Sequence, residues 1–174
     1  MRQPLFERKG LLSSIIEPSN NLIVTPSIVE NGSHIFQITK EMNMEGIVGK
    51  RRDSIYKINH QSSNDWLKYK HLKIAETVIL GYSEKPFSIV VGTRLGNGKY
   101  KRLANVEFGF STDEKMAFRQ IAKQLIIKSE RNITWIEPLL KCKVQYLEKT
   151  RTGMLRIASF KGFNFEQITE KHIS

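Results

Sequence analysis

The sequence lacks the features typical of secreted and membrane proteins. Its single cysteine, Cys142, excludes an internal disulfide framework, and we expect this residue to be a half-buried strand residue without chemistry. No apolar run approaches the roughly 20 residues of a membrane helix, and the amino terminus has no signal-peptide pattern. The histidines are too few and too scattered for a metal site. These absences predict a soluble, cytoplasmic protein without a membrane partner.

Acidic residues are also scarce relative to basic ones. The chain of 174 residues has 28 Lys and Arg against 17 Asp and Glu, a net charge of +11. Such an imbalance favours polyanionic partners, above all nucleic acid. An apolar content of 40% is enough to bury the core of one ordinary domain or two small ones.

The first part of the chain mixes helical and strand patterns. Residues 4–16 predict a helix despite Gly10, the β-branched run at 21–29 predicts an extended segment, and 31–44 predict a second helix capped by Ser33. Apolar content predicts strands at 45–51 and 65–74, and the polar residues 59–65 predict a loop between them.

After Ile74 the pattern is mainly that of strands. Three strands are predicted before residue 111, with a tight hairpin at 96–98, and two after residue 137. Between them, Ser111 and Glu114 have the spacing of a capping box, and we expect the following helix to present Ala117, Ile121 and Leu125 on one face. Three strands, a helix and two strands are the element order of an OB-fold barrel, which places a domain boundary near residue 74.

The stretch "WLKYK" at 66–70 has paired cations. Strand side chains alternate between faces, so Trp66, Lys68 and Lys70 are expected on one face. Two ammonium groups on one face repel each other unless an anion lies between them, and a phosphate is suited to that position. A solvated strand face is the alternative.

The stretch "EGIVGK" at 45–50 begins with an isolated carboxylate. Regular alternation puts Glu45 on the face of Ile47 and Gly49, where a buried carboxylate needs a cation or a metal. A carboxylate for Mg²⁺ next to lysines for phosphate is what metal-assisted nucleotidyl transfer requires. The alternative is a surface ion pair with Arg51 or Arg52.

Together these stretches resemble motifs IV and V of the ATP-dependent DNA ligases, in the covalent nucleotidyltransferase superfamily. "EGIVGKRRDSIY" and "DWLKYK" have the pattern and separation found in the bacterial end-joining ligases. "PLFERKGLL" resembles the segment before motif IV, and "TRTGMLRIASFKGF" resembles the closing strands of the OB domain. The likeness extends over essentially the whole chain.

The resemblance implies a role for each matching residue. Glu45 would organise the metal, Mg²⁺ or Mn²⁺, and the adenylate, while Lys68 and Lys70 would hold the α-phosphate of ATP. Lys50 matches the motif IV lysine, although alternation puts it on the face opposite Glu45. The positions expected to contact DNA phosphates are Arg51, Arg52, Lys57 and Arg156.

The sequence departs from the family at two points. The ligases attack ATP with the lysine of a K-x-D-G motif, and no K-x-D-G occurs in these 174 residues. The basic segment of motif VI is replaced by "FKGFNFEQITEKH", with Arg156 and Lys161 as the nearest substitutes. The resemblance therefore implies the carboxyl-terminal half of a ligase rather than a self-sufficient enzyme.

The implied fold is α+β. Residues 1–73 would be the last part of a nucleotidyltransferase (ATP-grasp-like) domain, 74–165 an OB-fold barrel and 166–174 a polar tail. Without a complementary half, residues 1–73 are expected to be loosely packed or to oligomerise. The implied partners are nicked or broken duplex DNA at the bacterial nucleoid, an amino-terminal ligase half and a Ku-like end-binding protein. The alternative is a non-catalytic OB-fold DNA-binding module, or a ligase remnant.

Overall fold

The computed structural model describes residues 3–56, 58 and 64–164. The chain divides into two compact units, Met1–His71 and Leu72–Ser174. Lys57, most of the loop predicted at 59–65 and the tail at 166–174 lie outside the described residues. Among the residues that are described, no helix combines the length and the apolar character needed to cross a bilayer.

The first unit contains two helices and a two-stranded antiparallel sheet. Its elements are α1 (Leu5–Ile15), α2 (Gly32–Glu41), β1 (Gly46–Lys50) and β2 (Trp66–Lys70). The helix predicted at 4–16 is confirmed and includes Gly10. The run at 21–29 forms no strand, because within the described residues nothing pairs with it beyond the isolated bridge between Ser19 and Leu22.

Two boundaries in this unit differ from those predicted. The residue that caps α2 is Asn31, in the left-handed conformation, rather than Ser33, and its side chain makes no capping hydrogen bond. The strand predicted at 65–74 is two strands, because β2 ends at Lys70 and β3 begins at Lys73. The two belong to different sheets, so His71 and Leu72 separate them.

The first unit leaves many apolar side chains in solvent. Of its described residues, the buried ones are Leu5, Thr39 and Ser54. Large apolar side chains are exposed on α1, on the segment between the helices and directly after α2, namely Leu11, Ile15, Ile23, Ile28, Val29 and Met42. Exposed apolar surface of this extent is typical of a surface that another polypeptide covers.

The second unit is a curled antiparallel sheet with one helix. Its strands are β3 (Lys73–Glu84), β4 (Phe87–Arg94), β5 (Tyr100–Val106), β6 (Ile126–Glu130), β7 (Ile133–Ile136), β8 (Lys141–Tyr146), β9 (Glu148–Lys149), β10 (Leu155–Arg156) and β11 (Ser159–Phe163). The main sheet has the order β11-β8-β3-β4-β5, and β7 also pairs with β3. A parallel bridge between Phe108 and Ser159 joins the segment after β5 to β11 and thereby closes the curled sheet. Gly109 permits this approach, because a Cβ there would lie 2.3 Å from the Phe160 carbonyl oxygen.

The helix of this unit, α3 (Thr112–Ala122), starts as predicted and ends earlier. Ser111 and Glu114 form the complete capping box. The residues it buries are Phe118 and Ala122. Of the three residues expected to share one face, Ala117 and Ile121 are exposed, and Leu125 lies after the helix and is partly buried against the core. Its last predicted turns are instead a short 3₁₀ turn at Lys123–Leu125 and strand β6, which forms a hairpin with β7.

The core of the second unit consists of side chains from the sheet and from α3. Ile79, Val91, Val144, Phe118 and Phe160 are almost completely buried. Cys142, on β8, is fully buried rather than half-buried. The Thr77 hydroxyl donates a hydrogen bond of 3.1 Å to the Cys142 carbonyl oxygen. Burial raises the pKa of the Cys142 thiol to about 11.

Candidate functional site

The register of β1 and β2 determines which side chains share a face. Gly46 lies opposite Lys70, Val48 opposite Lys68 and Lys50 opposite Trp66. Residues directly opposite each other in an antiparallel pair point to the same side. One face of the sheet therefore carries Trp66, Lys68 and Lys70, as the alternation predicts, and also Lys50.

Glu45 immediately precedes Gly46, the first residue of β1. Its Oε1 is 2.6 Å from the Lys70 Nζ, with side chains that are 61% and 31% exposed respectively. The His71 backbone N–H donates a hydrogen bond of 2.9 Å to the Glu45 carbonyl oxygen, which keeps the two strand ends together. The carboxylate of motif IV and the second lysine of motif V are thus in direct contact.

The contact between Glu45 and Lys70 departs from regular strand alternation because of Gly46. Gly46 has φ +145°, and a Cβ at this position would lie 1.9 Å from the Tyr69 carbonyl oxygen. The backbone adopts a conformation at Gly46 that only glycine tolerates, so the alternation of β1 does not extend back to Glu45. The carboxylate is therefore exposed and paired with a lysine, rather than on the apolar face of Ile47.

Lys50 lies at the other end of β1. Its Nζ is 3.7 Å from the centre of the Trp66 ring, well within cation–π range. Partial burial, followed by the nearby charges of Lys9 and Arg8, lowers the pKa of Lys50 below its ordinary value. Lys50 thus shares a sheet face with Lys68 and Lys70.

Residues 51–56 follow β1 and fold back against the start of α1. The Phe6 N–H donates to the Arg52 carbonyl oxygen at 3.2 Å, and the Arg52 guanidinium lies over the Phe6 ring at 5.1 Å. The Arg51 guanidinium instead makes a two-point contact with Asp53, which lowers the pKa of that carboxyl, and also approaches Asp65. Arg51 and Arg52 are both exposed in this arrangement.

The remaining basic candidates lie in the second unit. Arg156, on β10, forms an ion pair with Glu148, on the neighbouring strand β9. Lys161 is exposed on β11. Both residues belong to the second compact unit.

His71 and α2 support the end of β2, which the sequence did not reveal. The Thr39 hydroxyl donates to the Phe36 carbonyl oxygen at 2.9 Å, so its lone pairs are available to the His71 Nε2 at 3.0 Å. The Phe36 and His71 rings stack at 4.0 Å between centroids. The only signal in the sequence was the position of His71 directly after Lys70.

The described residues contain no cluster of three or more His, Cys, Asp or Glu side chains that could hold a metal ion. Glu45 supplies one carboxylate, which forms an ion pair with Lys70. Mg²⁺ in nucleotide sites usually keeps several waters and is bound by one or two carboxylates together with phosphate oxygens. Glu45 therefore fits as one ligand of a cation that a nucleotide shares, and not as a metal site by itself.

Comparison with protein-family models gives two successive matches. Residues 1–70 match the ATP dependent DNA ligase domain, and residues 83–166 match the ATP dependent DNA ligase C terminal region. The chain belongs to the ATP-dependent DNA ligase family. The resemblance carried by motifs IV and V is thereby confirmed.

Individual relatives of this chain agree with the family-model matches. It is 34% identical over 165 residues to the SPbeta prophage-derived DNA ligase-like protein LigB of Bacillus subtilis, covering 92% of this chain and 56% of the relative. It is 33% identical over 132 residues to the bifunctional non-homologous end joining protein LigD of the same organism, covering 76% and 21%. The chain thus spans about half or less of these relatives.

A solved structure supports the fold class. The ligase domain of Mycobacterium tuberculosis LigD matches with a TM-score of 0.52 and 26% identity, over 94% of this chain and 57% of that domain. The fold is therefore α+β, a nucleotidyltransferase portion followed by an OB-fold, as predicted.

Proposed function

We propose that this chain is the carboxyl-terminal portion of an ATP-dependent DNA ligase that seals nicks between 3′-OH and 5′-phosphate ends by AMP transfer. The observation that carries the proposal is the contact of Glu45 with Lys70, beside Lys68 on the same sheet face. This cluster lies within the residues that match the ligase domain model.

Each residue of the cluster has a role in this proposal. Lys68 and Lys70 bind the α-phosphate of ATP, because each ammonium offers a compact charge with three donors. Their Cα atoms are about 7 Å apart along the strand, so two flexible side chains can converge on one phosphate. Glu45 holds Lys70 in the free state, and it would supply one carboxylate oxygen to a Mg²⁺ bound with the nucleotide, an ion whose charge would offset that of the phosphates.

The nucleophile must come from outside these 174 residues, since they contain no K-x-D-G motif. It can belong to a segment of the same polypeptide that precedes them or to a separate chain. We infer that the isolated 174 residues do not form a covalent adenylate.

The first unit supports the involvement of such a partner. Its two-stranded sheet pairs with no further strand in the described part of the chain, and Val48, Trp66, Leu67 and Tyr69 are all about half exposed on its two faces. Isolated two-stranded sheets are marginal, and stable sheets need more strands or a covering helix. A ligase half that adds strands and apolar cover would satisfy both requirements.

Nicked or broken duplex DNA is the proposed substrate. The net charge of +11 favours a polyphosphate partner, and the relatives include an end-joining protein. Arg51, Arg52, Lys57 and Arg156 are proposed to contact DNA phosphates at the bacterial nucleoid. A Ku-like end-binding protein is the partner that end joining would add.

Complementation tests the proposal directly. The chain is mixed with an amino-terminal ligase half that carries K-x-D-G, radiolabelled ATP and nicked duplex DNA, and both adenylation and sealing are measured. We expect sealing only in the mixture, and at least about a tenfold loss with Lys68→Ala, because a charged phosphate contact is removed. Sealing that is unaffected by Lys68→Ala and Lys70→Ala would refute the proposed site.

A second candidate function, a non-catalytic DNA-binding module or ligase remnant, is favoured by the missing K-x-D-G. In that case the chain binds DNA with an affinity that falls steeply with salt, and no ligase half restores sealing. The complementation assay and a salt titration of DNA binding by the wild-type chain distinguish the two.

A further inference from the structure

Lys50 and Trp66 form a contact that the proposed function leaves unexplained. They lie directly opposite each other on β1 and β2, and the Lys50 Nζ is 3.7 Å from the centre of the indole ring. Trp66 is 45% exposed, so its ring is not committed to a core. The ring therefore supports the Lys50 side chain on the face that also carries Lys68 and Lys70.

The charges around Lys50 do not account for its position. They are the positive charges of Lys9 and Arg8, which disfavour another cation. In the described part of the chain, no carboxylate forms an ion pair with Lys50, whereas Lys70 pairs with Glu45. An exposed lysine in such surroundings is expected to extend into water, and the indole face is what keeps it at the sheet.

The sheet geometry brings Lys50 within reach of the proposed phosphate position. Lys50 is the diagonal neighbour of Lys68 across the sheet, a separation of about 7 to 8 Å. Four-carbon side chains at that separation can meet a single phosphate group. A lysine that is already ordered loses less conformational freedom when it binds an anion.

We propose that Trp66 is a positioning residue for the phosphate site, whose indole ring holds the Lys50 ammonium beside Lys68 so that both bind the same nucleotide phosphate. This inference rests on the proposed nucleotide site and deepens it. Trp66 itself does not contact the phosphate. It acts through Lys50, so its effect disappears when Lys50 is absent.

A double-mutant cycle tests the inference in the full 174-residue chain. ATP is titrated at low ionic strength into the wild type, Trp66→Leu, Lys50→Met and the double variant, with binding followed by calorimetry. We expect Trp66→Leu to weaken ATP binding by about two- to fivefold, the equivalent of an exposed cation–π contact. The double variant should bind no more weakly than Lys50→Met alone.

Two further variants separate positioning from folding. Trp66→Phe keeps an aromatic face and should retain more of the affinity than Trp66→Leu. Leu67→Ala shortens a half-exposed apolar side chain of the same strand on the opposite face, and it should leave the ATP affinity unchanged. Circular dichroism of every variant verifies that the sheet is retained.

The outcomes distinguish this inference from the function on which it rests. If the wild type binds ATP and Lys68→Ala weakens it, while Trp66→Leu has no effect or adds fully to Lys50→Met, then the positioning role is refuted and the site stands. If the wild type binds ATP neither alone nor in the mixture with the complementing ligase half, both the site and the positioning role are refuted.

Discussion

At the scale of residues, the exposed ion pair of Glu45 with Lys70 contributes little to the free energy of unfolding. The carboxylate is 61% exposed, and exposed ion pairs typically contribute about 0 to 1 kcal/mol. The pair nevertheless holds Lys70, the lysine proposed to bind phosphate, at a defined position in the free state. We therefore expect the pair to affect nucleotide binding rather than folding, and the two effects can be separated experimentally.

Replacing Glu45 with glutamine tests this separation. Glu45→Gln should change the free energy of unfolding by less than about 1 kcal/mol, because the pair is solvent-screened. Nick sealing in the complemented mixture should fall by at least about tenfold, because the carboxylate that would share Mg²⁺ with the nucleotide is lost. Glu41→Gln, on the exposed end of α2, is the matched control. An equal loss in both variants would contradict the assigned role of Glu45.

Cys142 gives the chain a measurable pH dependence in the alkaline range. Burial raises the pKa of its thiol from 9.0 to about 11, so the folded state retains the proton more strongly than the unfolded state. The resulting stability is fully present below pH 9 and is lost as the pH rises towards 11, up to about 2 kcal/mol. Urea unfolding from pH 8 to 11 should show this decline relative to Cys142→Ala. Identical slopes in the two proteins would contradict it.

At the scale of elements, the sequence pattern predicted the strands that carry the site and the face shared by Trp66, Lys68 and Lys70. It did not predict the position of Glu45, because the positive φ of Gly46 breaks the alternation, and sequence patterns do not reveal such a turn. It also missed β6, since the apolar residues after Ala122 continue a helical pattern and pairing with β7 ends the helix. At β6, pairing with β7 overrode the local helical preference.

Gly46 and Gly49 form a matched pair for testing the turn before β1. Gly46→Ala should disrupt the β1–β2 sheet, because a Cβ meets the Tyr69 carbonyl oxygen at 1.9 Å and the φ of +145° disfavours any side chain. Gly49→Ala should be tolerated, since its Cβ would lie 3.4 Å from the nearest atom, a ring carbon of Tyr69. Amide hydrogen exchange of residues 46–50 and 66–70 reports the difference. Equal protection in both variants would be inconsistent with the observed backbone.

At the scale of the whole molecule, the two units differ in how completely each buries its own apolar residues. The second unit has a continuous core that includes Ile79, Phe118 and Phe160, whereas the first leaves side chains such as Ile15 and Ile23 in solvent. The chain matches 57% of the ligase domain of M. tuberculosis LigD. The exposed apolar side chains of the first unit are the kind of surface that another polypeptide segment covers.

This difference predicts unequal stability of the two units. In a urea titration followed by hydrogen exchange, residues 1–71 should lose protection at lower urea than 72–164, or the chain should self-associate through the first unit. Adding a ligase half with K-x-D-G should raise protection in the first unit selectively. A single cooperative transition, with full protection of both units in the monomeric chain, would contradict the prediction.

The most direct test of the nucleotide site is a crystal structure of the chain with a complementing ligase half and AMP. The account predicts that the AMP phosphate lies within hydrogen-bond distance, about 3.5 Å, of the Lys68 and Lys70 ammonium groups, with the Glu45 carboxylate at the same end of the sheet. A phosphate bound elsewhere, with both ammonium groups directed into solvent, would contradict the account.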